Sequence, residues 1–208
     1  MISVLRTTWP LLLGILLLMV GNGMQGTLLG IRGVGIGIPT FQMSIVMASY
    51  YAGFLLGSLV APAFIKNVGH VRVFAALGTL ISSALVLFAV EPHWISWSLL
   101  RFLIGFCFCG VYVTAESWLN AGSTNENRGQ ALSAYMIVQL LGIVTAQSLL
   151  NIPDGDGYLL FIIPSVLVSM AFLPILLSAQ PAPQFDTIKR MSFVRLYRHP
   201  RWAASEFS

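Results

Sequence analysis

The sequence predicts an all-α, polytopic membrane protein with six transmembrane helices, and two observations carry this prediction. First, six long apolar stretches occupy most of the 208 residues, of which 57% are hydrophobic and only 9% charged. Soluble domains carry about 25% charged residues, and a charge at the bilayer centre costs about 2.5–3.5 kcal/mol on insertion scales. Second, nearly all cations lie at the ends of the stretches, on one side of the membrane that the stretches imply. Because the cations do not cluster on one soluble face, the net charge of +4 does not indicate a nucleic-acid partner.

Each apolar stretch meets or approaches the roughly 20 residues that a bilayer-spanning helix needs. The stretches lack the two-residue alternation of a barrel strand. The predicted spans are Trp9–Leu29, Met43–Ile65, Val73–Val90, Trp94–Leu119, Ala131–Leu150 and Tyr158–Leu177. The first exceeds the h-region of a signal peptide, about 7–15 residues, so we expect a retained helix. Residues 1–178 are thus assigned to a six-helix bundle and residues 179–208 to a basic cytoplasmic linker or tail.

The connections between the spans divide by charge. Nine cations fall on one side: Arg6, Lys66, Arg72, Arg128, Lys189, Arg190, Arg195, Arg198 and Arg201. The other side has Arg32 as its cation, together with Glu91, Asp154 and Asp156. Positive residues concentrate in cytoplasmic loops, so we expect both termini in the cytoplasm, as an even number of helices requires.

Short connections and glycine pairs predict how the spans pack. The connection Glu91–His93 is so short that spans three and four should form a tight antiparallel hairpin, and residues 151–157 are rich in turn formers. Glycines four residues apart, at 26 and 30 and at 53 and 57, predict close helix approach or a hinge. In residues 189–201, aromatic and basic side chains interleave, which fits either a helix on an anionic leaflet or a solvated linker.

The fourth span carries the most informative polar residues. Arg101, Gly105, Phe108, Tyr112 and Glu116 are three or four residues apart, so they share one helical face. Arg101 and Glu116 stand roughly 22 Å apart at 1.5 Å per residue and cannot pair directly. An ionisable residue inside a membrane is a functional candidate that faces the bundle interior. The alternative is that both side chains snorkel to the interfaces.

Other spans place polar groups at similar depths. Span one has Asn22 and Gln25 on one face, and span five has Tyr135 and Gln139 on one face. Span two has further candidates at heptad spacing: Ser44, Tyr51 and Ser58. Each group can line a solute cavity or form a structural hydrogen bond between helices. Convergence from spans one, four and five favours a cavity.

Nothing in the sequence supports an intramembrane enzyme. A rhomboid-like protease needs a Gly-x-Ser-Gly nucleophile and a membrane-embedded histidine, but His70, His93 and His199 fall in predicted loops or the tail. A His-Glu-x-x-His metal motif is absent. Cys107 and Cys109 point to different sides of one helix and are expected to be packing residues. We therefore expect no catalytic residue, no metal and no cofactor.

Several motifs resemble those of the major facilitator superfamily. The segment Gly57–Arg72 resembles a degenerate form of its loop between helices two and three, and Arg101-Phe-Leu-Ile-Gly105 resembles its helix-four arginine motif. Residues 115–120, 127–130 and 133–142 resemble a bacterial branch of predicted inner-membrane transporters, the YcaD type. The resemblance runs from helix one to helix six. It implies the N-terminal half of a secondary transporter in the bacterial inner membrane, with a small solute and protons as candidate cargo and coupling ion.

The resemblance also implies roles for particular residues. Gly57, Lys66, Gly69 and Arg72 would form the cytoplasmic gating loop, but Lys66 stands where the superfamily usually has Asp, so an Asp-based gate is not carried over. Arg72 pairing with Glu116 is one hypothesis for how this loop would act.

Within the cavity, Arg101 would set the electrostatic potential and Glu116 would take protons from the cytoplasmic side. Solute or water would be contacted by Asn22, Gln25, Tyr112 and Gln139.

The superfamily builds a transporter from two six-helix halves, with the substrate between them. This chain corresponds to one half, so transport is expected to need a second six-helix half or a homodimer partner. The alternative is a membrane fragment or accessory half-protein that does not transport.

Overall fold

The computed structural model describes residues 2–124, 126–153 and 158–177, which are all helix, turn or irregular connection. Within these described residues, six spans are long and apolar enough to cross a membrane. The first five are α1 (Ile2–Gly35), α2 (Thr40–Val68), α3 (His70–Val90), α4 (Trp94–Ala121) and α5 (Arg128–Leu149). The sixth consists of α6 (Leu159–Met170) and the short α7 (Leu173–Leu177). The predicted all-α, six-span architecture is confirmed; the basic tail, with Asp154 and Asp156, lies outside the described residues.

Most helices extend beyond the apolar stretches that predicted them. Helix α1 covers residues 2–35 rather than 9–29, and α2 gains three residues at each end. The apolar stretch marks only what must sit in hydrocarbon, about 20 residues, and the helix continues with polar side chains on either side. The sixth span is interrupted before α7, where Pro174 has no N–H to donate to the Met170 carbonyl.

A single glycine connects α2 to α3. Gly69 has φ 87° and ψ 163°, a conformation that is essentially restricted to glycine, and its N–H donates to the Ile65 carbonyl at 2.9 Å. The predicted loop from Gly57 to Arg72 is therefore wrong as a loop, because the residues on both sides of Gly69 are helical. We call this end of the bundle, which also holds the α4–α5 connection, the basic end, and the other the hairpin end.

The helices pack in a pattern that repeats after three helices, and most of the packing joins the first three helices to the last three. Helix α2 packs along α4 and α1 along α5, while α3 joins α4, α6 joins α1, and α3 meets α6. Exchanging helices one to three with helices four to six reproduces these five main packing pairs. Internal repeats of three helices are the design that builds each half of many secondary transporters. Helices α1 and α4 thereby occupy equivalent positions and face each other across the centre.

One predicted glycine pair makes a close helix contact and the other does not. A Cβ on Gly53 would overlap the Phe102 carbonyl oxygen of α4, and a Cβ on Gly57 would lie 2.6 Å from the Phe106 oxygen. A Cβ on Gly26 would meet no atom within 4 Å, and one on Gly30 only a methyl group at 3.9 Å. The prediction of close packing is thus confirmed for α2 and wrong for α1.

The predicted hairpin between α3 and α4 is confirmed. Helix α3 ends at Val90 and α4 begins at Trp94, and the buried Trp97 indole donates to the Phe88 carbonyl at 3.2 Å across the turn. Both Cys107 and Cys109 are free and buried, as expected for packing residues.

Candidate functional site

Polar side chains occupy the space between α1 and α4, which make few direct backbone contacts. The Tyr112 hydroxyl of α4 accepts a hydrogen bond from the Asn22 amide of α1 at 3.1 Å and donates to the Met19 sulfur at 3.3 Å. Gln25 donates to the Asn22 amide oxygen at 2.9 Å. Its own amide oxygen is buried and has no hydrogen-bond partner among the described residues. The structure therefore brings together three predicted cavity residues from two helices, and we call this chain of side chains the central polar seam.

Arg101 extends this seam toward the hairpin end. Its side chain is 7% exposed, so it lies inside the bundle rather than reaching an interface. The guanidinium carbon lies 4.9 Å from the centroid of the Tyr50 ring, and one terminal nitrogen lies 3.4 Å from the Met47 sulfur. The Nε atom is buried, and no group in the described part of the chain accepts a hydrogen bond from it. Arg101 is thus a buried cation whose described contacts are an aromatic face and a thioether.

The second helix contributes Tyr50, which the sequence analysis missed in favour of its neighbour. Tyr51 is 68% exposed, whereas Tyr50 packs under Arg101. The sequence does contain a pattern that points to Tyr50, because Met47, Tyr50 and Phe54 follow helical spacing and share one face of α2. The three rings of Tyr50, Phe54 and Tyr112 are 6.2 and 6.1 Å apart, centroid to centroid, and form a continuous aromatic row from Arg101 to the seam.

Glu116 lies at the other end of this helical face and is exposed. Its carboxylate accepts a hydrogen bond from the Tyr135 hydroxyl of α5 at 3.4 Å. Gln139, which is half-buried, stands one turn farther along α5. A second glutamine of α5, which the sequence analysis did not single out, crosses to α1: Gln147 donates to the Gly23 carbonyl at 3.1 Å.

The predicted gating residues do not form one cluster. Gly57 is buried in the α2–α4 contact, about 18 Å along the helix from Gly69. Lys66 and Arg72 are both exposed at the basic end on either side of Gly69. Among the described hydrogen bonds and ion pairs, none joins Arg72 to Glu116, and that pairing stays a hypothesis.

One histidine lies elsewhere than the sequence analysis expected. His70 is not a loop residue: it begins α3, is 2% exposed, and its Nε2 lies 3.1 Å from the Ser117 hydroxyl of α4. The residue before it, Gly69, caps the end of α2, so α3 reverses direction immediately after it. This places the His70 ring inside the bundle. His93 caps α4 and His199 is outside the described residues.

The sequence model of the Major Facilitator Superfamily matches residues 11–202. The chain belongs to this superfamily. An uncharacterized MFS-type transporter of Yersinia pestis (strain Pestoides F) is 37% identical over 176 residues, which are 82% of this chain and 45% of the relative. The uncharacterized MFS-type transporter YcaD of Salmonella newport (strain SL254) is 31% identical over 173 residues, again 82% and 45%. A relative from Yersinia enterocolitica is 36% identical.

The resemblance seen in the sequence motifs is thereby confirmed, including the YcaD type. The protein is an integral membrane protein of the Major Facilitator Superfamily, and the chain spans less than half the length of the curated relatives it matches. Its packing pattern, which repeats after three helices, agrees with the superfamily's construction.

Proposed function

We propose that this chain supplies the N-terminal half of a secondary transporter that carries a small solute across the bacterial inner membrane. The observation that carries the proposal is the central polar seam with Arg101, placed between α1 and α4 inside a bundle that exposes many large hydrophobic side chains on its outside. Polar and ionisable groups inside a membrane are expensive, and they mark substrate or ion pathways. Major facilitator proteins bind their substrates near the midplane between two halves.

The second half is proposed to dock on the faces of α2 and α5. In α1, 61% of the most apolar stretch is buried inside the bundle, against 17% in α2 and 22% in α5. These two helices flank the seam from opposite sides, because α2 packs on α4 and α5 packs on α1. The partner would be either a second six-helix segment or a second copy of this chain.

The basic end is proposed to face the cytoplasm. The described cations Lys66, Arg72 and Arg128 all lie exposed there, and the hairpin end carries Arg32 and Glu91. This orientation follows the concentration of Lys and Arg in cytoplasmic loops. It places Glu116 near the cytoplasmic end and Arg101 in the outer half.

The first test is the mass of the complex, measured by native mass spectrometry on protein purified from membranes. We expect a dimer or a complex with a second six-helix chain, and we expect that complex to move solute in proteoliposomes. A stable monomer without solute movement would contradict the proposal and favour a non-transporting fragment or accessory protein.

Proton coupling through Glu116 is the finer part of the proposal. This carboxylate is exposed near the basic end, and its Tyr135 contact links α4 to α5. In proteoliposomes that hold the transporting complex, Glu116→Gln should abolish uptake driven by a pH gradient and spare solute exchange without a gradient. The matched control is Glu91→Gln, which removes an exposed acid at the hairpin end. This variant should keep uptake coupled to the pH gradient. If uptake by the Glu116→Gln variant remained fully coupled to the pH gradient, Glu116 would not be the proton-coupling residue.

A further inference from the structure

The described part of the chain supplies no anionic partner for the buried guanidinium of Arg101. A guanidinium carries five N–H donors in a planar fork that matches a carboxylate. Here one donor faces a thioether, which is a weak acceptor, and Nε–H has no acceptor within residues 2–124, 126–153 and 158–177. The ring of Tyr50 covers one face of the cation. Buried charges in membrane proteins normally pair with another charge or with backbone carbonyls, so this site lacks an anionic group.

The described acids do not supply that group. Glu91, Glu116 and Glu126 are all exposed at the ends of helices or in connections, and Arg101 contacts none of them. Arg101 lies seven residues inside α4, roughly 10 Å from its first residue. The neighbour that a terminal nitrogen of Arg101 contacts is instead the thioether of Met47, a flexible side chain.

The surroundings of Arg101 indicate what else the anion would carry. Tyr50, Phe54 and Tyr112 form an aromatic row that starts at the guanidinium and runs inward, and all three are half-buried. Rings of this kind bind apolar or aromatic bodies, and methionine sulfur adapts to them. The buried amide oxygen of Gln25 is a second unpartnered polar atom in the same seam. The site thus offers a cation, an apolar wall and a free acceptor.

We propose that the transported solute is a small organic anion, whose carboxylate binds Arg101 in place of Met47 and whose apolar or aromatic body packs along Tyr50 and Phe54. This inference rests on the proposed transport function and adds the class of the solute. In this arrangement Arg101 is the specificity-determining residue, because a neutral solute would leave the guanidinium unpaired.

The test compares benzoate with benzamide, which has nearly the same shape and no charge. The chain, with its partner half where native mass spectrometry finds one, is placed in phosphatidylcholine nanodiscs, and radiolabelled benzoate binding is measured by scintillation proximity. We expect saturable benzoate binding that unlabelled benzoate displaces and benzamide does not. Neutral lipid is used so that anionic headgroups do not compete for Arg101.

Two variants with a matched control assign the binding to one side chain. Arg101→Gln should weaken benzoate binding at least about thirtyfold, the factor that corresponds to about 2 kcal/mol for truncating a buried charge partner. Arg101→Lys, which keeps the charge, should retain part of the affinity. Arg32→Gln is the control, because Arg32 also contacts aromatic rings, those of Tyr158 at 5.7 Å and Phe161 at 6.0 Å, but lies outside the seam. It should bind benzoate like the unmodified chain.

Three results would overturn the anion site. They are equal binding of benzamide and benzoate, full binding in a folded Arg101→Gln variant, or no saturable benzoate binding. Failure of the proposed function is a separate result. Charge-selective binding without any solute movement would refute transport and leave the site, whereas transport of a neutral solute would refute the anion and leave transport.

Discussion

The α2–α4 contact predicts opposite effects for two glycine substitutions that look alike in the sequence. Gly53 and Gly26 each begin a pair of glycines four residues apart, and both lie well inside a transmembrane helix. A Cβ on Gly53 would overlap the carbonyl oxygen of Phe102, and that backbone atom cannot rotate away as a side chain would. A Cβ on Gly26 would meet nothing within 4 Å.

The expected change in the free energy of unfolding is the sum of two opposing contributions. Alanine is better than glycine in a helix interior by about 0.5–1 kcal/mol, and this term acts at both positions. Overpacking costs about 1–3 kcal/mol, and at Gly53 the upper part of that range applies because α2 must move away from α4, its principal neighbour. We therefore expect Gly53→Ala to destabilise by about 1–2 kcal/mol and Gly26→Ala to stabilise by about 0.5–1 kcal/mol.

The assay is unfolding in mixed micelles titrated with sodium dodecyl sulfate, followed by helicity and tryptophan fluorescence. Gly105→Ala provides an internal check, because its Cβ would overlap the Tyr50 carbonyl across the same contact. Once α2 has moved for one alanine the second costs less, so Gly53→Ala combined with Gly105→Ala should be less destabilising than the sum. Equal stability of the Gly53→Ala and Gly26→Ala proteins would refute the reasoning.

Two further predictions concern other contacts. Gly69→Ala should destabilise the protein by about 1–3 kcal/mol in the same assay, because φ 87° and ψ 163° suit only glycine. Gly129→Ala is the control: the added Cβ would have open space around it, and this substitution should not destabilise the protein. Removing the 3.1 Å bond with Tyr112→Phe or Asn22→Ala should cost about 0.5–1.5 kcal/mol each. The double variant should fall short of the sum, and strict additivity would show that this bond contributes no coupling energy.

Most of the architecture was predictable because the bilayer restricts the possibilities. A run of about 20 apolar residues has one stable solution in hydrocarbon, a helix that satisfies its own backbone, so the six spans could be identified without knowing their neighbours. The face of α4 that carries Arg101 and Tyr112 followed from helical spacing alone. The break before α7 was missed, because Pro174 interrupts an apolar stretch without changing its hydropathy.

The candidate site was predictable only in part. Asn22, Gln25 and Tyr112 were identified as polar groups at compatible depths, but their connection depends on α1 facing α4, which spacing within one helix cannot reveal. Tyr50 was missed in favour of Tyr51, because adjacent residues differ by about 100° around the helix and only the position of α4 decides which one points inward. The sequence likewise could not show that the carboxylate of Glu116 meets Tyr135.

The sequence by itself determined that this chain contains a six-helix membrane bundle of the Major Facilitator Superfamily with ionisable residues inside, since hydropathy, charge distribution and motifs can be read without the fold. Only the tertiary structure decided which glycine pair joins two helices, and that Arg101 lies buried against Tyr50 and Met47 without an acidic partner among the described residues. Both depend on how one helix is rotated and placed against another. In lipid that choice is made by close packing and hydrogen bonds between particular side chains, because apolar surface gains little from leaving one hydrocarbon environment for another.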